Sequence, residues 1–471
     1  MWIYAAAILV YLGALAGIGW WRSRAVRTGD DFLVAGRSLP AHVLVFTLLS
    51  TWIGSGSLFG GAGLGYRSGF SALWQAAGAW VGIGLIYFIA PRVRRIAQYT
   101  VPDILERRYG ARARVLGTVT TVIAYTTIAA YQFRGGGRLL NLVAGIDPRA
   151  GAVITAVFCV AYTALAGMLS VAHLDVVNGL MMIAGVGIAV VYLLGHAGGT
   201  GSALDALRPE QLTLFGSLSP ADALALFLPT MFLLLGEANM YQKFFSARDE
   251  QAARRAVAGW IAGTILVEAL IVSVGVFGSA VVPGLSSEES EAIVVRVAVD
   301  VLPGVFGALL LAGAAAIIVS TANSMLLTPS TSIVHDIYRR FVRPSMTDRE
   351  VLVYTRATVV ALGTLAYFVG NFFPTILAMA LWAYTMYGAG VTPALLAALV
   401  WKRATPAAGV ASIAAGMIVT IVWEVAGLRG GGYPLGLQTI YPALAASIGT
   451  LVGVSLVHSA DRTGRGSRAT I

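Results

Sequence analysis

TLLSTWIGSGSLFGGAGLGY, residues Thr47–Tyr66, is apolar enough to lie in a bilayer, yet glycine crowds its second half. Each glycine costs roughly 1 kcal/mol in a helix interior relative to alanine, so the run favours unwinding. Unwound backbone is tolerated at membrane depth only where it is buried in protein or lines a wet cavity. Two interpretations remain open. One is a broken helix whose freed oxygens hold a cation, and the other is close helix packing through small residues.

The composition places the whole chain in a membrane. Of its 471 residues 58% are hydrophobic and 11% charged, and the mean hydropathy is +0.79. Such values exclude a soluble globular protein and predict an all-α polytopic membrane protein in a lipid bilayer. The net charge of +10 is spread over short loops, so we expect no nucleic-acid partner.

Thirteen apolar runs have the length of a membrane-spanning helix, about 20 residues. They lie at 2–21, 41–66, 69–90, 115–144, 149–168, 174–195, 219–241, 256–282, 304–328, 351–371, 374–398, 407–425 and 437–457. The first is not followed by a small-residue cleavage site and is interpreted as a retained helix. The sequence therefore predicts about thirteen transmembrane helices.

The basic residues predict the orientation of the chain. Arg and Lys concentrate in alternate connections, at 22–37, 92–114, 243–255, 339–349, 402–403 and 462–468. Because basic loops stay in the cytoplasm, the C-terminus is predicted inside and the N-terminus outside, in a plasma (inner) membrane.

The longer outer connections, 196–218 and 283–303, are expected to contain short surface helices. Glu288, Glu289 and Glu291 are interpreted as one solvated face. The five histidines have no metal-ligand spacing, and no nucleophile and base pair is evident, so the chain is not expected to be an enzyme.

Hydrogen-bonding residues inside a span are costly and therefore candidates for function. One cluster follows the small-residue run of the 304–328 span: Ser320, Thr321, Asn323, Ser324 and Thr328. Hydroxyl and carbonyl oxygens are the ligands that a hard cation prefers. The alternative is that these hydroxyls bond to their own helix.

Asp175 and Arg134 are two of the charged residues that fall within predicted spans. Asp175 lies at the inner start of one, where it either attracts a cation or complements the helix dipole. Arg134 lies in the outer half of another and needs a buried partner. A substrate carboxylate and Glu237 are the two candidates.

Several motifs resemble the sodium:solute symporter family over nearly the whole chain. They are DDFLVAGRSLP (30–40), YTVPDILERRYG (99–110), YTALAGMLSVAHLDVVNG (162–179), NMYQKFFSARD (239–249), SMLLTPSTSIVHDIY (324–338) and LVWKRATPAAGVASIAAGM (399–417). Ala166-Gly167 stands where the family usually has a Gly-Gly pair.

The resemblance implies the five-plus-five inverted-repeat fold of the leucine-transporter type. An extra helix and inner loop would occupy 1–40, the first repeat 41–200 and the second repeat 201–403. Two further helices and a cytoplasmic tail would occupy 404–471. Each repeat would open with a discontinuous helix, the second one broken within FLLLGEAN (232–239).

The resemblance also implies Na+ as the coupling ion. The residues carried over to the sodium site are Ser50, Ile53 and Ile317 through backbone carbonyls, and Ser320 and Thr321 through hydroxyls. A second sodium, or a proton, would use Asp175, Ser324 and Asn323, although Asn323 stands where the family usually has serine.

For the substrate, the sequence predicts a small-molecule solute held near Trp52, Ser55, Ser57, Gln75, Gln132 and Arg134. Sialic-acid transporters of the family use an arginine in the same core helix, which favours a carboxylate-bearing anion or zwitterion imported by sodium symport. The Thr51–Gly54 stretch is similar to the choline-transporting branch. A quaternary-ammonium substrate, proton coupling and a ligand-sensing membrane domain remain the alternatives.

Overall fold

The chain is almost entirely helical. The computed structural model describes residues 2–23, 35–96 and 100–463, except the side chains of 2, 20–23, 166–171 and 458–463. This part of the chain contains no β-strand, and its one bridge pairs Leu39 with Ala247. The all-α prediction is therefore confirmed. Residues 30–34 of the predicted inner loop and the end of the tail lie outside the described residues.

The α-helices of the described ranges are numbered in chain order. They are α1 (Trp2–Ser23), α2 (Ala41–Trp52), α3 (Ala62–Ser68), α4 (Leu73–Ile96), α5 (Val101–Tyr109), α6 (Ala111–Ala144), α7 (Pro148–His196), α8 (Thr200–Asp205), α9 (Pro220–Gly236), α10 (Ala238–Ser246), α11 (Glu250–Val281), α12 (Ser287–Ser290), α13 (Ile293–Arg296), α14 (Gly304–Thr331), α15 (Asp348–Val369), α16 (Ile376–Gly390), α17 (Thr392–Val400), α18 (Pro406–Gly430) and α19 (Ile440–Thr463). Turns of π-helix occupy Gly56–Gly61, Val297–Val301 and Ser332–Val342.

Within the described residues, eleven helical segments are long and apolar enough to cross a membrane. Two shorter apolar helices, Ile3–Gly19 and Ala41–Trp52, fall below that length. The segment Gly56–Ile96 joins the end of the predicted 41–66 span to the predicted 69–90 span. The polytopic membrane fold is confirmed, whereas the count of thirteen spans stays a prediction.

Helix α14 forms the centre of the bundle. It packs against α1, α6 and α7, and every residue from Leu310 to Thr331 is buried. Its residues 304–319 are all apolar or small, and the polar residues that follow are buried as well, which is the pattern of a helix buried on every side. The hydroxyl cluster of this helix therefore faces protein rather than lipid.

The outer connections contain the predicted short helices as α8, α12 and α13, but α13 is buried except at Arg296 and is not a surface helix. The interpretation of the acidic residues there as one solvated face is wrong for Glu291, which is fully buried. Its carboxylate accepts hydrogen bonds from the backbone N–H groups of Ile376 and Leu377, at 3.1 and 3.0 Å. It also binds Arg138 at 2.5 Å. Glu291 thus caps the N-terminus of α16, where a negative charge is stabilising.

Candidate functional site: two broken helices and an oxygen cluster

The glycine-rich stretch breaks its helix at the point the sequence predicts. Helix α2 ends at Trp52, and Ile53 is extended, with φ −73° and ψ 112°. The backbone N–H of Ser55 is bonded by the side-chain oxygen of Gln132 at 2.8 Å. A β-carbon on Gly54 would lie 2.7 Å from the Gln132 amide nitrogen and 3.0 Å from Thr321, so only glycine fits this close approach.

The break frees carbonyl oxygens that point at α14. The Thr321 hydroxyl lies 3.2 Å from the Ser50 carbonyl oxygen and 3.1 Å from that of Ile53. These are three of the five oxygens predicted for sodium. Ile317 is buried one turn earlier on α14. Two carbonyls and a hydroxyl meeting at a helix break form a donor set suited to a hard cation, and the ion site itself stays a prediction.

The fifth predicted ligand, Ser320, turns toward Asp175 instead. Its hydroxyl donates to one carboxylate oxygen at 2.5 Å, and Thr47 donates to the other at 2.5 Å. Asn178 lies 3.4 Å from the first oxygen and accepts a hydrogen bond from Tyr11 at 2.5 Å. Asp175 is fully buried, so this carboxylate is an internal hub that joins α2, α7 and α14.

A residue that the sequence analysis assigned to a basic loop belongs to the same cluster. Lys243 is 1% exposed, and its ammonium donates to the Thr47 carbonyl oxygen at 2.7 Å and to the Thr51 hydroxyl. The Thr51 hydroxyl lies 3.1 Å from that of Ser324. The assignment of Lys243 to a loop is wrong, because α10 enters the bundle and is buried throughout.

Asn323 is buried on α14, and its side-chain oxygen has no hydrogen-bond partner among the described residues. Ser324 instead connects to the second broken helix. Its carbonyl oxygen accepts from the side-chain amide of Asn239 at 3.1 Å. The same amide donates to the Thr328 hydroxyl at 2.8 Å.

A second helix is also discontinuous, at the place predicted within FLLLGEAN (232–239). Helix α9 ends at Gly236, α10 begins at Ala238, and Glu237 between them is extended, with ψ 113°. The Tyr241 hydroxyl donates to the freed Leu235 carbonyl oxygen at 3.0 Å. Glu237 is fully buried beside these groups.

Trp52 is held by a carboxylate that the sequence analysis did not identify. Its indole N–H donates to Glu268 at 2.8 Å, and the Trp80 indole donates to the other oxygen of Glu268 at 3.0 Å. The Trp52 ring also lies 5.8 Å from that of Tyr384, between centroids. The sequence could have indicated Glu268, because a glutamate within an apolar span needs a partner and is therefore a candidate for function.

Ser57 and Gln75 lie together near this carboxylate. With Glu268 they line a small cavity of about 20 Å³. Ser55 and Gln132 meet at the helix break, as described above. Five of the six predicted substrate residues thus lie around the first break, and their contact with a substrate stays a prediction.

Arg134 lies apart from them. Its guanidinium donates to the carbonyl oxygens of Phe373 and Pro374, both at 2.6 Å, and lies 3.6 Å from Glu288. These groups, rather than the predicted rival Glu237, are its contacts. Arg134 lines an open cavity of about 550 Å³, whose other basic lining residues are Arg138, Arg149 and Arg296. The placement of Arg134 among the other substrate residues is therefore corrected.

A separate ion-pair network joins α5 to the first turn of α6, at the other end of α6 from Arg134. Arg114 binds Asp103 at 2.6 Å, Asp336 at 2.7 Å and Glu106. Arg340 binds Glu106 at 3.1 Å. Burial raises the pKa of Glu106, but the hydrogen bonds and charges of the two arginines outweigh burial and hold this pKa below its usual value.

In this site two discontinuous helices meet an oxygen cluster on a third, buried helix. This arrangement is typical of secondary transporters with a broken-helix core. The sequence model of the sodium:solute symporter family matches residues 32–418. The chain belongs to this family and is a transporter, not an enzyme.

Relatives match over almost the full length. The osmoregulated proline transporter of Bacillus subtilis is 26% identical over 464 residues, covering 95% of this chain and 93% of the relative. The sodium/pantothenate symporter of Escherichia coli is 28% identical over 465 residues, covering 94% of each.

Solved structures share the fold. A Na+-coupled sialic acid symporter in a substrate-bound outward-open state has a TM-score of 0.78 at 17% identity, covering 97% of this chain and 98% of that chain. The L-phenylalanine complex of MhsT has a TM-score of 0.55 at 14% identity, covering 88% of this chain and 97% of that chain.

Proposed function

We propose that the protein is a sodium-coupled symporter that imports a small carboxylate-bearing anion or zwitterion by alternating access. The observation that carries this proposal is the meeting of Thr321 with the carbonyl oxygens of Ser50 and Ile53. A sodium ion between these groups would replace the hydrogen bonds of the Thr321 hydroxyl by ion contacts. Ile317 and Ser320 would complete its ligands.

Sodium would couple to the substrate by fixing the break in α2. The same backbone that supplies the Ser50 and Ile53 oxygens also positions Trp52 and Ser55, which lie among the predicted substrate residues. An ion that binds one state better than the other shifts the equilibrium toward it, typically by 1–3 kcal/mol. The inward membrane potential would add roughly 2.3 kcal/mol per charge at 100 mV.

The finer topology also belongs to the proposal. We keep the N-terminus outside, the C-terminus in the cytoplasm, and the repeats at 41–200 and 201–403. Support comes from the two equivalent breaks, after Trp52 and after Gly236, each in the first long helix of its repeat. The name of one relative includes proline and that of another pantothenate, and both compounds have a carboxylate.

The test is uptake into proteoliposomes with an imposed sodium gradient, with L-proline as the first probe and pantothenate as the second. We expect accumulation that requires sodium, and at least a tenfold rise in half-saturating sodium for Thr321→Ala. Thr358→Ala is the matched control, because its hydroxyl is exposed and bonds only to Tyr354 of its own helix, at 2.8 Å. Equal uptake in sodium and potassium would refute sodium coupling.

Proton coupling is the second candidate, and the buried Asp175 favours it. A carboxylate that accepts from Thr47, Ser320 and Asn178 is a suitable proton carrier in a membrane. Transport that follows a pH gradient, survives Thr321→Ala and is lost in Asp175→Asn would select this candidate over sodium.

A further inference from the structure

Glu237 holds a buried carboxylate whose hydrogen-bonding capacity is unused. It is 0% exposed, and neither side-chain oxygen has a hydrogen-bond partner among the described residues. Removing a carboxylate from water without a partner is very costly. Because Glu237 also lies at the break between α9 and α10, the missing partner points to a ligand at this break.

Lys243 does not supply that partner. Its charge acts on Glu237 through space, but its hydrogen bonds go to Thr47 and Thr51 on α2. The ammonium therefore lowers the cost of burying Glu237 without bonding to it. Its charge also interacts with that of Asp175, so one lysine partly compensates the charge of two buried carboxylates.

A proton alone would not satisfy Glu237 either. A protonated carboxyl has an O–H donor that needs an acceptor, and its second oxygen still needs a donor. The described residues bond neither oxygen. A cationic N–H group, in contrast, donates to a carboxylate and cancels its charge in one step.

The walls near Glu237 suit a positively charged nitrogen. Tyr131 and Tyr384 lie near enough to Glu237 for its charge to act on them, and their hydroxyls lie 3.2 Å from each other. The Tyr384 ring in turn packs against Trp52, with centroids 5.8 Å apart. Aromatic faces attract cations electrostatically, and more strongly when the cation is desolvated.

We propose that Glu237 binds the protonated amino group of the substrate. The assignment rests on the proposed function and narrows its substrate class to solutes with a primary or secondary ammonium. Asn239, two residues further on, bonds the Ser324 carbonyl oxygen and the Thr328 hydroxyl on α14. Through the hydrogen bonds of Asn239, an ammonium bound to Glu237 would be linked to α14, the helix that carries Ile317, Ser320 and Thr321.

The test compares matched pairs of probes on the purified full-length protein. Each amino acid, L-proline included, is paired with its N-acetyl derivative, which keeps the carboxylate and loses the positive charge on nitrogen. Thermal shifts are recorded in sodium and in potassium. We expect a shift only from amino acids with a free amino group, and at least a thirtyfold loss of affinity in Glu237→Gln.

Glu237→Gln must retain the shift produced by sodium alone, which shows that the variant is folded. Glu424→Gln is the control, because its carboxylate bonds to Tyr433 and Thr439 away from both breaks. Equal shifts by N-acetyl derivatives, no shift from any free amino acid, or unchanged affinity in Glu237→Gln would overturn the assignment. An amine-specific shift that is the same in sodium and potassium would instead refute sodium coupling and leave Glu237 in place.

Discussion

The ammonium of Lys243 donates a hydrogen bond to the carbonyl oxygen of Thr47, 2.7 Å away. This contact ties α10, the second half of one broken helix, to α2, the first half of the other. The Thr47 hydroxyl donates to Asp175. Thr47 therefore contacts the Lys243 ammonium through its carbonyl oxygen and the Asp175 carboxylate through its hydroxyl. The two discontinuous helices are thus linked by charge as well as by packing.

Lys243→Met should lower the free energy of unfolding by about 3–5 kcal/mol, the usual cost of leaving one member of a buried charge pair alone. Adding Asp175→Asn should recover part of this loss, because one of the two buried carboxylates near Lys243 is then neutral. Thermal unfolding in detergent measures both effects. The exposed Lys402→Met is the control, and equal losses in the single and double variants would contradict the linkage.

Gly54→Ala should weaken sodium binding at least tenfold. The added methyl group would lie 2.7 Å from the Gln132 amide nitrogen and 3.0 Å from Thr321, which forces apart the break and its facing helix. The concentration of sodium that gives half the maximal thermal shift measures the effect. Gly187→Ala is the matched control, because its β-carbon meets no atom within 4 Å, and an equal change in both variants would rule out a local cause.

Glu268→Gln should loosen Trp52. The carboxylate accepts from two indoles, whereas an amide has one acceptor oxygen and must present its NH₂ to the other indole. We expect a loss of about 1–3 kcal/mol in stability and a change in the fluorescence spectrum that is smaller in a Trp52→Phe background, where only Trp80 still bonds to residue 268. An unchanged spectrum would show that Trp52 does not depend on Glu268.

Acid should weaken the network around Arg114. The pKa of Glu106 lies below its usual value of 4.5, so its stabilising contribution is present above that pH and is lost as the pH falls through the lower, folded pKa. The melting temperature of the wild type should therefore drop more between about pH 5 and about pH 3 than that of Glu106→Gln. Parallel curves for the two proteins would exclude Glu106 as a source of acid sensitivity.

Local chemistry explains which features the sequence could predict. Glycine crowding at Thr47–Tyr66 and the hydroxyls on α14 are visible in single stretches, and the structure brings them together at the break. Lys243 and Glu291 were misassigned because each lies beside a charged connection, and their burial depends on helices far away in the chain. Arg134 was placed too deep because depth within a span does not reveal which carbonyl groups the neighbouring loop will offer.

The location of Arg134 leads to the last prediction. It lines the 550 Å³ cavity with three other arginines and with Glu288 and Glu289, and it bonds two backbone carbonyls of the loop before α16. We therefore expect it to attract the carboxylate of an entering solute rather than to bind the solute at the breaks. Arg134→Gln should raise the KM for uptake a few-fold at low ionic strength and leave the maximal rate unchanged, because such attraction is screened by salt.

Arg134→Lys separates the two contributions of this residue. It keeps the charge but cannot bridge both carbonyls in the same planar geometry, so its KM should remain near that of the wild type if charge is what matters. Uptake across a salt series measures the difference, with the exposed Arg429→Gln as control. A loss of equilibrium binding in Arg134→Gln that persists at high salt would return Arg134 to direct substrate contact, because a close, desolvated ion pair is far less sensitive to screening.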